Sequence, residues 1–551
     1  MTDYFIRPGV IAFLVGMAAA SCSYLQTKEK MILYNGIVLP EVWPPRYSTG
    51  QSQNRPVPWL ESKPEVIPVD IGRQLFIDDY LIKETDMETV YHEPSFFSDN
   101  PVLEPDQDWE VTLDGVPYSA PFSDGIWYDE KDGKFKMWYL TGGASVGKKF
   151  CTAYAESDDG KNWKKPVLDI VSGTSIVDTN ERDASTVWLD KLEIDSGKRF
   201  KFFNVEKNPD CDSWQFLLKY SPDGIHWSNS VAQSGAILDR SSAFYNPFRQ
   251  VWCLSLRQPT HNSSRSRFYL EAQDPETAVS MAHRIRPEIA DKNIVFWFSA
   301  DSMEQRHPDY PEVNPGIYNF DCIPYESIIL GQYSVWQGPD NHVCEELGIQ
   351  KRNEVMLGYS RDGFHFHRPV HSAFLPVCPR VDAWNWGNVQ SVTGTPLIVG
   401  DSLYFYVSGR RLNTYYWDGL SSCGLATLRR DGFASLRADG KPCHLLTETI
   451  TFQGKYLFVN AKVDGKMRID VVSEKGNILQ KGPEIIHTDS TRLLVMSVQR
   501  FTGKRVKLRF SMTDGDIYSF WISPWASGES HGYTAGGGPG LSPDGIDRPF
   551  H

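Results

Sequence analysis

Past its first thirty residues this chain has no apolar run long enough to cross a bilayer, which removes a helical channel or transporter from consideration. It also has no surplus of positive charge: 56 Lys+Arg face 69 Asp+Glu, a formal net charge of -13. A phosphate backbone is held by a basic stripe that releases counterions, so nucleic acid is excluded as a partner. Close cysteine pairs are missing. Cys22 apart, eight cysteines (Cys151, Cys211, Cys253, Cys322, Cys344, Cys378, Cys423, Cys443) are scattered, some inside apolar strands such as VWCLSLR. Neither a metal-thiolate centre nor a disulfide framework is expected, and no cofactor motif is present. Amphipathic helices are nearly absent as well. Short β-branched and aromatic runs alternate with Gly/Asp/Asn turns instead, an all-β pattern.

What the chain does have is length, aromatic rings and repetition. Its 551 residues exceed one ordinary core, and 17 Trp, 25 Tyr and 29 Phe must pack between sheets or line a ligand surface. Residues 1–22 read as an export signal of the lipoprotein type: Arg7, the apolar run Val10 to Ala20, then Ser21 and Cys22, the residue that would carry lipid. An ordinary cleaved signal peptide is the alternative; both place the mature protein outside the cytoplasm, with the membrane engaged only through a lipid anchor. Residues 23–66 are Pro-rich and read as a linker.

From 67 to 420 a unit of three or four strands recurs. Each opens with a polar or acidic strand start and most close on a Ser-x-Asp-Gly turn followed by an aromatic: SDGIWYDE, KFKMWYL, YAESDDGKNW, then LKYSPDGIHW and LGYSRDGFHF. Anchoring five copies at Asp124, Asp183, Asp239, Glu326 and Gln390 gives spacings of 59, 56, 87 and 64 residues. A period near 60 residues is the size of one propeller blade, so a five-bladed β-propeller is expected. The turns at Asp159, Asp223 and Asp362 read as hairpin punctuation rather than chemistry. Residues 421–525 alternate as a β-sandwich does, and 526–551 form a Gly-rich tail expected to be loose.

Inner propeller strands converge on a funnel, and four of the five anchors are acidic. A pair of carboxyls across one glycosidic bond is what acetal hydrolysis needs. With GRQLFIDDYLI, NPVLEPDQDWE and GKRVKLRFSMTDGDIYSF, the chain resembles the arabinanase, levanase and invertase-like propeller glycoside hydrolases over about residues 68 to 525. The resemblance implies Asp124 as base or nucleophile. Asp183, in an Arg182-Asp183 pair like the Arg-Asp-Pro element but with Ala184 for Pro, would tune the acid or position the sugar. It implies a late inner-strand Glu as general acid, here Glu326.

Asp239, Arg240, Arg257, Arg267, His261, Tyr325, Trp386, Gln390 and Arg410 are the candidate substrate-binding residues. The arginines, with Arg265, suit an acidic sugar such as a uronic acid, and equally suit inter-blade ion pairing. For each acid a turn cap or structural ion pair is the competing reading. The expected function is a monomeric glycoside hydrolase at the cell envelope acting on a carbohydrate substrate, with no metal-ligating residues singled out. A non-catalytic glycan-binding lipoprotein and a glycoside phosphorylase are the alternatives.

Overall fold

The computed structural model describes residues 31–49, 57–208, 210, 213–260, 265–285, 291–349, 351–411 and 420–550. Cys22 and His261 therefore lie outside the described residues.

Five sheets surround one axis. The first blade runs from inner strand Ser119–Asp129 through Lys134–Gly142 and Phe150–Ser157 to Ile176–Asp178. The second is Thr186–Leu189, Phe200–Lys207, Trp214–Ser221 and Ala232–Gln233; the third is Ser242–Asn246, Val251–Gln258, Ser266–Ala272 and Val295–Phe298. Gly316–Glu326, Ile328–Gly338 and Arg352–Ser360 make the fourth. Asn388–Ser391, Ser402–Arg411 and Leu420–Arg429 make the fifth, whose outer strand is the distant Ser95–Phe96. Each inner strand touches the next and the fifth touches the first, which closes the ring. The chain is a five-bladed β-propeller with a β-rich C-terminal region.

The Ser-x-Asp-Gly turns lock the ring. In each, the Asp carboxylate accepts from the backbone N–H groups two and three residues on, and the Ser hydroxyl accepts from the Gly N–H. The turn then meets a neighbouring blade through an aromatic donor. Tyr406 donates to the Gly160 carbonyl at 2.7 Å, Trp138 to Gly224 at 2.7 Å and Trp297 to Phe364 at 2.7 Å. Each such bond is worth about 1 kcal/mol.

The C-terminal sandwich region is hydrogen-bonded as one ten-stranded sheet that bends over its own core. Its long strand Tyr456–Val472 pairs with Gly515–Ser523 through its first half and Lys507–Met512 through its second, with bulges that let it curve.

Three sequence expectations are corrected. Residues 67–93 belong with this sheet rather than the propeller, through Gln74–Leu75, Ile82–Thr85 and Glu88–Tyr91, whereas Leu420–Arg429 completes blade five. The Pro-rich stretch is not a bare spacer: Leu33, Ile37, Leu39, Val57 and Trp59 are buried in the core of the C-terminal sheet. Nor is the Gly-rich tail loose. Its strand Tyr533–Thr534 pairs with Tyr325 and Glu326, and the Gly536 and Gly537 carbonyls accept from Tyr128 and Ile398. The glycines permit that contact, because a Cβ on Gly536 would lie 1.8 Å from the Gly394 carbonyl oxygen.

Candidate functional site

The inner strands all run the same way, so the propeller has an end where they begin and an end where they finish. The tail covers the finishing end: it touches Tyr128, Lys191, Glu326 and Ile398, all at or beyond the ends of inner strands. Glu326 is the last residue of its strand and belongs to this closed end. Its carboxylate accepts from the Arg73 backbone N–H at 3.1 Å, Ser530 Oγ at 2.5 Å and Arg430 Nη2 at 3.1 Å, and it is 0% exposed. Tyr325 donates to Asp431 at 2.5 Å in the same buried network, which Asp547 completes. Burial pushes the Glu326 carboxyl up, whereas Arg73 and Arg430 overcome burial at Asp431 and bring it down to about 2. Neither Glu326 nor Tyr325 can meet a sugar. The expectation failed because the PYES anchor lies at the end of an 11-residue strand, not its start.

The open end gathers the rest. Asp124 sits in the blade-one inner strand and is 0% exposed. Arg182 grips it with Nη1 at 2.8 Å and Nη2 at 2.6 Å, and the Ser185 N–H donates at 3.0 Å. Burial raises its carboxyl to about 6 against the pull of Arg182. Arg182 Nη1 also donates to the Asp183 carbonyl at 2.7 Å. This arrangement makes Asp124 a positioning group: through Arg182 it fixes the backbone that carries Asp183.

Asp183 and Asp239 precede the inner strands of blades two and three, and their side chains remain 17% and 22% exposed. Asp183 accepts from the Arg240 backbone N–H at 3.2 Å, with Arg240 Nε also 3.2 Å away. Asp239 pairs with Arg257. Burial favours its neutral form, but Arg257, Arg265 and Arg240 outweigh burial and hold the carboxyl below its usual range.

Arg240 holds a left-handed backbone at φ 57°, and its guanidinium lies 4.5 Å from the ring of Phe122, itself at φ 41°. Two adjoining non-glycine residues in that region mark stored strain of a few kcal/mol of the kind found at functional sites. Arg267 holds the strained turn in place. It donates to the Arg240 carbonyl at 2.8 Å and the Ser255 carbonyl at 2.7 Å and is fully buried, so it is structural rather than a sugar contact.

Three residues that sequence reasoning did not single out complete the funnel. Tyr318, near the start of the blade-four inner strand, accepts from Lys351 Nζ at 3.1 Å. The guanidiniums of Arg265 and Arg240 lie 4.3 Å and 5.4 Å from its ring centre. Burial alone would raise the phenol, but Lys351, Arg240, Arg265 and Arg410 together bring it down to about 7. Asp321, sixth in its strand as Asp124 is in its own, accepts from Ser123 at 3.0 Å, Asn319 at 2.7 Å and Ser391 at 2.6 Å. It is the blade-four acid that the PYES anchor displaced by five residues. A tyrosine or lysine in a strand pattern carries no comparable signal.

Of the remaining candidates, Arg410 Nη2 reaches the Tyr118 hydroxyl at 3.2 Å and lies 5.6 Å from the Phe122 ring, inside the funnel. Gln390 is buried and donates to Asn388 at 2.7 Å, serving the sheet. Trp386 is half-buried just before the blade-five inner strand. Among the described residues one group, Asp301, Glu304 and His371, could hold a metal ion, away from the funnel. Arg368 spans both carboxylates.

No family model matches the chain, and no curated protein matches it. Among solved structures it is similar to an N-acetylgalactosamine deacetylase from F. plautii, at 11% identity over 63% of this chain and 96% of that one, TM-score 0.40. It is also similar to a glycosyl hydrolase from Bacteroides ovatus, at 12% identity over 65% and 97%, TM-score 0.39. A fructofuranosidase from Schwanniomyces occidentalis follows, at 8% identity over 80% and 98%, TM-score 0.34. At this level of similarity the fold and the site rest on the strand pairing and contacts described above.

Proposed function

We propose that this protein is a glycoside hydrolase that cleaves a glycosidic bond of a poly- or oligosaccharide in the open end of its propeller. One arrangement supports the reading. Asp183 and Asp239 start the inner strands of adjacent blades, flank Arg240 and keep part of their carboxyls exposed, whereas Asp124, Asp321 and Glu326 are sealed. Asp239, held ionised by its guanidinium neighbours, serves as base or nucleophile, and Asp183 donates the proton to the leaving oxygen. Asp124 and Arg182 set the height of Asp183. The apolar run ending at Cys22 supports export and a lipid anchor at the cell envelope, where such a substrate would be met.

The test is release of reducing ends from a panel of plant, algal and bacterial polysaccharides by the full-length protein, beside Asp183→Asn and Asp239→Asn. Turnover by the parent that both substitutions abolish is the expected result. Sugar binding without turnover, unaltered in both variants, would replace hydrolysis with the glycan-binding lipoprotein reading.

A further inference from the structure

Asp301 and Glu304 follow the outer strand of blade three, Val295–Phe298, and a tight turn sets their carboxylates side by side. The Met303 N–H donates to Asp301 Oδ1 at 2.8 Å and the Glu304 N–H to the Asp301 carbonyl at 3.3 Å. Arg368 and His371 reach the pair from the segment that leads out of blade four. The guanidinium of Arg368, held 4.5 Å from the Phe298 ring, takes Asp301 Oδ2 at 2.6 Å and also Glu304 Oε1. It thus uses one oxygen of each carboxylate and brings one positive charge to two.

The other oxygen of Glu304 is left over. Glu304 Oε2 and His371 Nδ1 are buried atoms without a hydrogen-bond partner among the described residues, and they face each other across 3.9 Å, too far for a hydrogen bond. The Asp301, Glu304 and His371 side chains are 1%, 0% and 11% exposed, so bulk water does not reach the two carboxylates. Buried polar atoms are bonded as a rule, and a buried charge is paired or coordinates a metal. One ligand atom from each of the three residues lies within 4.8 Å of the others. Metal–ligand bonds of about 2.0–2.2 Å set such atoms about 3.4 Å apart, so an ion would close the group by about an ångström.

We propose that Asp301, Glu304 and His371 bind a divalent cation of the zinc type, which clasps residues 299–315 to the segment leaving blade four. Two carboxylate oxygens and an imidazole nitrogen are a donor set that borderline cations accept, whereas calcium and magnesium prefer an all-oxygen shell. Arg368 is then the outer partner that orients both ligating carboxylates. The clasp bears on the propeller because residues 299–315 run directly into Gly316–Glu326, the inner strand that carries Tyr318 and Asp321. It is independent of the chemistry proposed for the funnel.

Calorimetric titration and thermal melts of the full-length protein, made without a histidine tag and stripped with EDTA, test this with zinc, manganese, calcium and magnesium. Zinc should bind as a single tight equivalent and raise the melting temperature of the stripped protein, and calcium and magnesium should not displace it. His371→Gln and Glu304→Gln should each weaken zinc binding by more than about 10- to 100-fold, the cost of losing only an outer-shell partner. Melts without metal identify a variant that fails to fold. His371→Gln, which leaves both ion pairs of Arg368 in place, then carries the test. Absence of tight zinc uptake, or uptake unweakened in the folded variants, overturns the site. Calcium or magnesium bound in preference to zinc overturns the class of ion.

Discussion

The two ends of the propeller are made from the same residue types and differ in how far their carboxylates are sealed from solvent. At the closed end, Arg73 and Arg430 face Glu326, Asp431 and Asp547, every one of them buried and each carboxylate taken up by a cation or hydroxyl. At the open end Asp183 and Asp239 pair with Arg240 and Arg257, and their side chains remain 17% and 22% exposed. Carboxylates, arginines and a tyrosine therefore identify neither end as functional. Access does.

The largest effects should separate the ends by activity. Asp183→Asn or Asp239→Asn is expected to lower kcat/KM by about 100- to 10,000-fold, the usual worth of a general acid or base, with the melting temperature little changed. Glu326→Ala should do the opposite: a loss of about 3 kcal/mol in urea unfolding, as when one partner of a buried ion pair is removed, with kcat per folded molecule preserved. A Glu326→Ala protein that is stable but inactive would break the comparison outright.

Smaller effects sharpen it. Gly536→Ala forces a Cβ against the Gly394 carbonyl, and about 1–3 kcal/mol should be lost by overpacking, read as a lowered melting temperature without change in KM. Asp431 makes the closed end acid-sensitive. Its folded carboxyl titrates near 2, below its value in the unfolded chain, so its stabilisation is complete above about pH 4 and is lost as pH falls toward 2. The urea midpoint should therefore drop between pH 4 and pH 2, and drop less in Asp431→Asn. Least of all, Trp138→Phe removes one inter-blade bond, to Gly224, and should cost about 1 kcal/mol in the same assay.

Much of this architecture could be read from the chain, and the exceptions share causes. Blades announce themselves through turns: Ser157-Asp158-Asp159-Gly160 and its two relatives recur because each must close a hairpin and reach the next blade. Asp183, Asp239 and Arg240 were legible because charge at a strand start is conspicuous. Glu326 misled because it closes the blade-four inner strand five residues past Asp321, and that displacement moves a side chain from one end of the axis to the other. Tyr318 and Lys351 look like ordinary strand residues until the strands are assembled. Glycine in the tail is ambiguous in principle, since a missing side chain suits both a loose segment and one pressed against another backbone. The Pro-rich segment hid its anchors, Leu33, Ile37 and Trp59, among residues that usually mark linkers.

The strand Ser95–Phe96 sits at the edge of blade five, more than three hundred residues away in the chain. A ring sealed by its earliest segment cannot finish assembling until its last blade has emerged from the ribosome, and residues 67–91 must wait longer still for the strands at 434–523. During synthesis the nascent chain therefore carries open sheet edges for most of its length. An expression fragment covering the blades alone would inherit that exposure permanently.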